Sequence, residues 1–386
     1  MQAGATQSPA TPSDTHRCCS DRSPAGAARA RPGPTWRSRH VEADTAPHQT
    51  TPPSAGPPPL GRRLASSNGG PSATAGAALR RVAGGSRRLL TGTRRQLYRG
   101  VAAAGEHSAR QLWPAFPHAI RLDHPPTAEL RPRYGSGRPP HAQLQRLLRH
   151  GEERYRAHLQ AFSAYHDDLA RIALTGESSL EPCWLHPWLI GLDTVSLYAF
   201  TRLRRPARYV EIGSGQSTKV VARARADGEL TTTITSIDPA PRAAVDQLCD
   251  RVVRRALEQA DLDECFGQLQ AGDMVFFDGS HRVLPNSDCV AFFLDVLPAL
   301  APGVLVGIHD VYLPEDYPHG FVELWWSEQY LLAAVLLGGA PWLQVELPAF
   351  YASGQPALGA LLAPLFDRPP LQGVNRRGSV FWVQTR

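Results

Sequence analysis

The run from Tyr209 to Ser217, YVEIGSGQS, constrains the fold more than any other part of the sequence. Apolar residues precede two closely spaced glycines, and a helical pattern begins directly after them. Glycines at such a strand end permit a tight turn and a close approach of the backbone to a ligand at the helix N-terminus. A second apolar run, which ends at Asp238, follows after one helix length. This order predicts the first half of a nucleotide-binding α/β crevice.

Glu211 and Thr218 indicate which ligand such a turn binds. A carboxylate two residues before the first glycine would repel a pyrophosphate, but it suits a cationic amino acid. Thr218 occupies the position of the third glycine of the dinucleotide-binding pattern. Both residues favour S-adenosylmethionine (AdoMet) over NAD, and an NAD-linked oxidoreductase is the weaker alternative.

Composition separates the beginning of the chain from the rest. Residues 1–110 are rich in Pro, Gly, Ala, Ser, Thr and Arg and show no apolar period, so they cannot bury enough surface to offset chain entropy. We predict that they form a disordered arm. Residues 1–150 hold 22 Arg and 7 acidic residues, whereas the remainder holds 19 basic and 28 acidic residues. The sequence therefore combines a basic arm with an acidic body.

The arginines of the arm do not by themselves predict a nucleic-acid partner. Lys219 is the only lysine beside forty arginines, which indicates a compositional bias of the whole sequence. Aromatic residues do not interleave with the arginines as a stacking platform would require. We predict no specific binding of nucleic acid, and the role of the arm stays open.

Cysteine spacing and hydropathy exclude further classes. The six cysteines show neither C-x-x-C spacing nor clustering with histidine, which argues against zinc and against a disulfide framework. The N-terminus has no apolar stretch typical of a signal peptide, and the longest apolar run, 290–308, is interrupted by Asp295, Pro298 and Pro302. We predict a cytoplasmic protein without a membrane span. The sequence does not indicate its oligomeric state.

Two segments precede the predicted sheet. Residues 142–174 carry apolar residues at helical spacing with charged residues between them, which predicts one or two amphipathic helices that pack as a cap. Residues 183–198 are rich in aromatic residues and form either a lid over the ligand or a helix-packing face. We predict a disordered arm at 1–110, a helical cap at 111–182 and a catalytic domain at 183–386.

Strands and helices then alternate, which predicts an α/β fold with a doubly wound, Rossmann-like sheet of parallel strands. Two further apolar runs near the end of the chain predict a closing antiparallel pair and seven strands in total. The predicted strands are 207–212, 232–238, 251–256, 273–278, 303–309, 342–347 and 379–384. The predicted helices are 216–227, 241–250, 261–270, 288–299 and 321–337.

Acidic residues stand at four predicted strand ends, at the sheet edge where ligands bind in such folds. Glu211 ends the first strand, Asp238 the second and Asp278 the fourth, and Asp310 follows the fifth. One acid there could serve as a helix cap or turn residue, but four at one edge indicate a site. Asp238 lies 23 residues after Gly215, close to the spacing at which an acid binds a ribose hydroxyl pair.

The fourth and fifth strand ends form a second cluster of Asp278, His281, His309 and Asp310. Two carboxylates and an imidazole could bind Mg²⁺, Ca²⁺ or Mn²⁺, and we predict Asp278, His309 and Asp310 as ligands of a possible cation. His281 is the predicted base, because histidine is the side chain most often tuned for proton transfer near neutral pH. In the alternative, the acids cap turns and His309 is a half-buried structural histidine.

Taken together, these segments resemble a class I AdoMet-dependent methyltransferase, and most of all the methyltransferase 24 family. The resemblance covers about residues 180–340. It implies the seven-stranded methyltransferase sheet and places the cofactor at the glycine turn. The segments that carry it are 211–217, 236–239, 272–281, 296–298, 302–303, 308–310 and 313–318. The predicted cofactor-binding residues are Glu211, Gly213, Ser214, Gly215, Ser217, Asp238 and Pro239.

A narrower similarity is to metal-dependent sugar O-methyltransferases of macrolide biosynthesis and to catechol O-methyltransferases. It implies that acids at the ends of the fourth and fifth strands bind Mg²⁺, and that a histidine three residues after the first acid acts as base. Asp278, Asp310 and His281 match these places. His309 stands where those enzymes usually have a second acid, so a cation here would lose one charge.

We therefore predict an enzyme that moves the AdoMet methyl group to a hydroxyl of a small molecule or sugar, with Asp278 and His281 as catalytic residues and Mg²⁺ as a possible second cofactor. A non-catalytic AdoMet-binding or scaffold protein is the alternative from another class. Side chains on the helix after the fifth strand could contact the acceptor or simply pack. They are Glu323, Trp325, Trp326, Glu328, Gln329 and Tyr330. The sequence does not identify the acceptor, because one fold can carry out many different reactions.

Overall fold

The computed structural model describes residues 130–176, 180–241 and 244–386. The predicted arm, 1–110, lies outside the described residues, as does the beginning of the predicted cap up to residue 129.

Seven strands form one sheet in the order β3-β2-β1-β4-β5-β7-β6. The first five strands are parallel, and β7 runs antiparallel between β5 and β6. This confirms the predicted sheet and its closing antiparallel pair. The strands are β1 (Arg208–Ile212), β2 (Thr233–Ile237), β3 (Arg251–Val253), β4 (Met274–Phe277), β5 (Leu305–Ile308), β6 (Leu343–Pro348) and β7 (Phe381–Thr385).

Helices flank the sheet and precede it. The α-helices are α1 (Ala142–Arg149), α2 (Glu152–Phe162), α3 (His166–Ala170), α4 (Gly191–Arg204), α5 (Gln216–Asp227), α6 (Leu262–Phe266), α7 (Asp288–Val290), α8 (His319–Val322), α9 (Glu328–Leu337), α10 (Ala349–Gly354), α11 (Pro356–Gly359) and α12 (Ala363–Phe366). A π-helix (Ala291–Val296) continues α7. Short 3₁₀ turns lie at Ser163–Tyr165, Asp246–Leu248, Leu257–Gln259, Leu297–Ala299, Ala360–Leu362 and Pro369–Leu371.

The predicted helix at 241–250 is wrong. Within its described part the chain forms only the short turn Asp246–Leu248 and then runs extended into β3. The guanidinium group of Arg225 explains this path, because it donates to the Leu248 carbonyl and to the Asp250 carboxylate. Asp250 in turn accepts the backbone N–H of Ile234 at 2.8 Å. These long-range bonds tie the segment to α5 and β2 in a non-helical form.

The predicted helix at 321–337 is interrupted. The interruption falls between α8 and α9, where Trp325 has a left-handed backbone with φ of 60° and Ser327 donates its backbone N–H to the His281 carbonyl. A backbone conformation of this kind cannot continue a right-handed helix. The break brings the start of α9 beside the end of β4, where the candidate site lies.

The aromatic segment before the sheet is largely a packing helix. Residues 191–201 of α4 are buried, and α4 packs against α5. Trp382 of β7 donates its indole N–H to the Ser196 hydroxyl at 2.9 Å. The Asp193 carboxylate accepts the backbone N–H groups of Ser379 and Val380, both at 2.7 Å. α4 is therefore joined to the strand that closes the sheet.

The predicted amphipathic helices are present as α1, α2 and α3, and their apolar side chains are buried in the common core. From α2, the guanidinium group of Arg154 donates to the Val345 carbonyl at 2.9 Å, and His158 contacts Glu346 at 2.8 Å. These helices cover β6 at one edge of the sheet. In the part of the chain that the structure describes, no helix is long and apolar enough to cross a membrane.

Candidate active site

The glycine turn after β1 is a tight connection that requires glycine at Gly213. Its φ is +79°, and a Cβ atom built there would lie 1.9 Å from the Asp278 carbonyl oxygen. The next residue, Ser214, donates its backbone N–H to the Asp238 carboxylate at 2.8 Å. Its hydroxyl lies 2.6 Å from that of Ser236. The turn is thus fixed between the ends of β2 and β4.

Glu211 lies behind this turn and is fully buried. The Tyr209 hydroxyl donates to its carboxylate at 2.9 Å, and the Thr218 hydroxyl donates to its other oxygen. Burial raises the pKa of Glu211 to about 7, although hydrogen bonds from Ser217, Thr218 and Tyr209 oppose the shift. The carboxylate is consequently occupied by neighbouring hydroxyls and supports the turn from beneath.

A cleft of about 540 Å³ opens at the carboxyl ends of β1, β2 and β4. Six of the predicted site residues line it, namely Gly213, Ser214, Asp238, Pro239, Asp278 and His281. Glu211, Gly215 and Ser217 are not among its lining residues. The cleft extends past β3 to the short turn Leu257–Gln259. A cleft therefore opens at the sheet edge where the sequence predicts a nucleotide crevice.

Asp238 is placed at the wall of the cleft by its own loop. One carboxylate oxygen accepts the backbone N–H of Ala240 at 2.8 Å, and the other accepts that of Ser214. These bonds fix the side chain while each oxygen keeps a free lone pair. This arrangement can accept hydrogen bonds from a ribose hydroxyl pair.

The ends of β4 and β5 bring three predicted metal ligands together. The ligand atoms of Asp278, His309 and Asp310 lie within 4.8 Å of one another. Nδ1 of His309 is 3.2 Å from an Asp278 carboxylate oxygen and 3.6 Å from one of Asp310. Asp310 has a left-handed backbone with φ of 54°. Two carboxylates and one imidazole fit a divalent cation that accepts mixed oxygen and nitrogen ligands.

His309 is fully enclosed between carboxylates. Its Nε2 faces the Asp193 carboxylate at 3.7 Å and the Ser379 hydroxyl at 3.5 Å, on the side opposite the cluster. Burial disfavours the imidazolium form, but Asp310 and Asp278 raise the pKa of His309 well above its ordinary value. Asp278 and Asp310 therefore favour the imidazolium form of His309.

His281 lies beside the same cluster and lines the cleft. Its Nδ1 is 2.6 Å from the buried Glu328 carboxylate. Its Nε2 is 3.4 Å from an oxygen of Asp278 and 3.8 Å from one of Asp310. Burial alone would lower the pKa of His281, but the charge of Glu328, its hydrogen bond and the two aspartates raise the pKa to about 9. His281 also has a left-handed backbone, with φ of 62°.

An aromatic wall covers His281 from the side of α8 and α9. The Trp326 ring lies over the imidazole with centroids 4.0 Å apart, and Phe321 stacks on Trp326 at 4.1 Å. Gln329 accepts the backbone N–H of Tyr312 through its side chain, at 2.8 Å. The other residues suggested for this helix, which are Glu323, Trp325 and Tyr330, are exposed.

Several residues around the site were not predicted from the sequence. The Asp288 carboxylate accepts the Ser280 backbone N–H and hydroxyl, both at 2.6 Å, and so shapes the loop before His281. Glu258 lines the cleft and has a buried carboxylate oxygen without a partner among the described residues. Asp193 comes from α4. No local motif marks these residues, because each joins the site only through the packing of distant elements.

Comparisons with known proteins found a matching family model and similar solved structures. Residues 210–311 match the family model for a methyltransferase domain of the methyltransferase 24 type. Among solved structures, the chain is similar to the S-adenosylhomocysteine-bound methyltransferase PaMTH1 of Podospora anserina, with 17% identity, 50% of this chain and 78% of that chain covered, and a TM-score of 0.33. It is also similar to cofactor-bound Rv0187 from MTB, with 18% identity, 59% and 89% coverage and a TM-score of 0.32.

A third similar structure is the MycE methyltransferase of the mycinamycin biosynthetic pathway in complex with Mg, S-adenosylhomocysteine and mycinamycin VI. It shares 20% identity, with 48% of this chain and 47% of that chain covered and a TM-score of 0.25. No curated protein sequence matches the chain. The segment that matches the methyltransferase domain model, 210–311, extends from β1 to just past β5.

Proposed function

We propose that this class I AdoMet-dependent methyltransferase transfers the methyl group to a hydroxyl of a small molecule or sugar, with His281 as the base. The observation that carries the proposal is the position of His281. One imidazole nitrogen is held by the buried Glu328 carboxylate, while the other is directed towards Asp278 and Asp310 beside the cleft. A base oriented by a carboxylate is the arrangement that general base catalysis requires.

The cofactor in this proposal occupies the cleft at the glycine turn. The turn formed by Gly213, Ser214 and Gly215 would let the cofactor approach the protein backbone closely. Asp238 would accept hydrogen bonds from the ribose hydroxyls of the cofactor. Pro239 would contact the nucleoside. Glu211 and Ser217 would act from behind the turn, because their side chains bond to each other and not to the cleft. This revises the expectation from the sequence that Glu211 holds the cationic amino-acid part of the ligand.

The reaction is an in-line displacement. The acceptor oxygen forms a bond to the methyl carbon, the bond from that carbon to the sulfonium sulfur breaks, and S-adenosylhomocysteine (AdoHcy) leaves. His281 takes the hydroxyl proton on Nε2 while Glu328 holds Nδ1–H. A base must be neutral, so its role requires that positive charge at the site offset the carboxylates that raise its pKa. Most of the rate gain would come from alignment of donor and acceptor.

A divalent cation such as Mg²⁺ or Mn²⁺ would be held by Asp278, His309 and Asp310. Their donor atoms are close enough to share one ion, and two carboxylates balance its charge. When bound, such an ion lowers the pKa of a hydroxyl that it contacts. A metal-binding imidazole nitrogen carries no proton, so binding of the ion would require the imidazolium form of His309 to release one.

We also propose the bounds of two domains. We assign the methyltransferase domain to residues 183–386 and the cap to residues 111–182. The bonds of Asp193 to Ser379 and Val380, just before β7, support a domain that begins before β1. The contacts of α2 with β6 support a cap that packs on the sheet edge. The acceptor pocket would lie on the side of α8 and α9, where Trp326 covers His281.

The test begins with calorimetric titration of AdoMet, AdoHcy and NAD, followed by a panel of sugar and phenol hydroxyl acceptors with AdoHcy release as the readout. We expect binding of the first two ligands, turnover on a hydroxyl acceptor, and loss of turnover with retained AdoHcy binding in His281→Ala. Failure to bind AdoMet and AdoHcy would overturn the proposal. Turnover on amines or carboxylates alone would show that the acceptor group is not a hydroxyl.

A further inference from the structure

The Glu328 carboxylate has two oxygens, and only one of them contacts His281. Oε1 lies 2.6 Å from Nδ1 of His281, whereas Oε2 accepts a hydrogen bond from the thiol of Cys289, whose Sγ is 3.5 Å away. Glu328 is fully buried. Within the described part of the chain, these two contacts are the hydrogen bonds of its carboxylate. A buried carboxylate is costly unless its oxygens are hydrogen-bonded, so the thiol helps to keep Glu328 ionised beside His281.

Cys289 acts as a hydrogen-bond donor in this place. Its residue is fully buried. Burial and the charges of Glu328 and Asp288 raise the pKa of its thiol well above the ordinary value, so the thiol keeps its proton. The Ser280 hydroxyl lies 3.9 Å from the sulfur, but it donates its own proton to Asp288 at 2.6 Å. The thiol proton is therefore directed to Glu328, which is the nearer acceptor and carries a charge.

The thiol belongs to a segment whose position relative to His281 is fixed. At the start of α7, Asp288 accepts the Ser280 backbone N–H at 2.6 Å, which joins the segment to the residue before His281. In the π-helix that continues α7, Phe292 stacks on Phe277 of β4 with ring centroids 4.1 Å apart. Both contacts attach the segment to the end of β4. A donor held in this way restricts rotation of the carboxylate and hence of the imidazole that it contacts.

We propose that Cys289 is a positioning residue, which orients Glu328 and His281 through the hydrogen bond from its thiol to Oε2 of Glu328. The inference rests on the proposed function, because it assumes that His281 takes the proton of the acceptor. Without the thiol, one oxygen of a buried carboxylate loses its donor, and His281 is held less firmly. Cys289 does not line the cleft, so its loss should leave cofactor binding unchanged.

Steady-state kinetics of three variants test this role. In Cys289→Ala we expect kcat to fall about three- to tenfold, the effect of one weak donor on a charged group, with the KM of AdoMet unchanged. Cys289→Ser supplies a hydroxyl donor and should recover most of kcat. Cys265→Ala is the matched control, because Cys265 of α6 is also a buried free cysteine. Equal losses of kcat in Cys289→Ala and Cys289→Ser would overturn the inference.

A double-mutant cycle separates this hydrogen bond from simple packing. If the thiol acts through the carboxylate, Cys289→Ala should change kcat by less than about twofold in a chain that already carries Glu328→Leu. If the thiol only fills space, Cys289→Ala should lower kcat by the same factor in both chains. That second result would contradict a positioning role.

Infrared spectroscopy tests the hydrogen bond without turnover. The S–H stretching band of a thiol moves to lower frequency when the thiol donates a hydrogen bond. Difference spectra between the native chain and Cys289→Ala isolate the band of Cys289, and Cys265→Ala gives that of Cys265 in the same way. We expect the Cys289 band to lie at the lower frequency and to rise in Glu328→Leu. Coinciding bands, with no response to Glu328→Leu, would overturn the inference.

These outcomes differ from a failure of the proposed function, in which the native chain itself does not turn over any hydroxyl acceptor. In that case the infrared band still decides whether the thiol of Cys289 holds Glu328.

Discussion

The Glu328 carboxylate lies 2.6 Å from Nδ1 of His281, and Glu328 is fully buried at the start of α9. The two residues are 47 positions apart in the sequence. The contact fixes the ring so that Nε2 is directed towards Asp278 and Asp310. A carboxylate in this place also stabilises the imidazolium that forms when the base accepts a proton.

Glu328 therefore acts as a positioning residue for His281. Glu328→Gln keeps a hydrogen-bond acceptor but removes the charge, so we expect kcat to fall about tenfold with the KM of AdoMet unchanged. Glu328→Leu should lower kcat further. The exposed Glu323→Gln is the matched control. Steady-state kinetics and AdoHcy calorimetry check this, and an equal loss of AdoHcy affinity in Glu328→Gln would instead indicate a role in folding or cofactor binding.

Removal of metal should reduce activity if the acidic cluster holds a cation. We expect EDTA to lower turnover at least about tenfold and added Mg²⁺ or Mn²⁺ to restore it. Asp310→Asn should lower both turnover and the metal response, because the cluster then has one carboxylate fewer. Asp295→Asn, an exposed acid away from the site, serves as the control. Full activity after EDTA treatment, together with an active Asp310→Asn variant, would exclude the cation.

Gly213 and Gly215 provide a matched pair in the glycine turn. Gly213→Ala places a Cβ atom 1.9 Å from the Asp278 carbonyl oxygen at a φ of +79°. We expect a loss of unfolding free energy on the order of 3 kcal/mol, from backbone strain and overpacking together. Gly215→Ala meets no atom within 4 Å and its φ is 175°, so it should cost much less. Urea unfolding of both variants checks this, and equal losses would contradict the geometry.

Glu211 makes stability depend on pH in a predictable direction. Its pKa is raised from 4.5 to about 7 in the folded chain. Between these values the unfolded chain is ionised while the folded chain stays protonated, so unfolding is favoured increasingly as the pH rises. The contribution of the protonated Glu211 to the stability of the folded chain is complete below pH 4.5. It is lost as the pH rises through 7. For a shift of this size the loss is about 3 kcal/mol at most.

Glu211→Gln isolates this effect, because the amide does not ionise. We expect the difference in unfolding free energy between native chain and variant to move in favour of the variant between pH 5 and pH 8. Urea titrations at both values measure it. A difference that is constant with pH would mean that Glu211 is ionised in the folded protein throughout.

Much of the fold was predictable because it depends on local patterns. The seven strands follow from apolar runs separated by helix lengths, and the glycine turn follows from a sharp change in backbone preference at Gly213. The prediction of a helix at 241–250 was wrong, because the local sequence pattern does not indicate the hydrogen bonds that Arg225 donates to this segment. α4 was not recognised as a helix, because it is buried nearly all round and so has no polar face to reveal its period.

The sequence by itself determined the order of the sheet elements, the glycine turn and the acids at the strand ends, since each of these depends on neighbours in the chain. Only the tertiary structure decided which side chains those acids and histidines contact. Glu328 of α9 contacts His281, and Asp193 of α4 and Ser379, just before β7, contact His309. The contacts with Glu328 and Asp193 help to raise the pKa of these two histidines. Burial and Coulomb interactions depend on distance in space, which spacing along the chain does not fix.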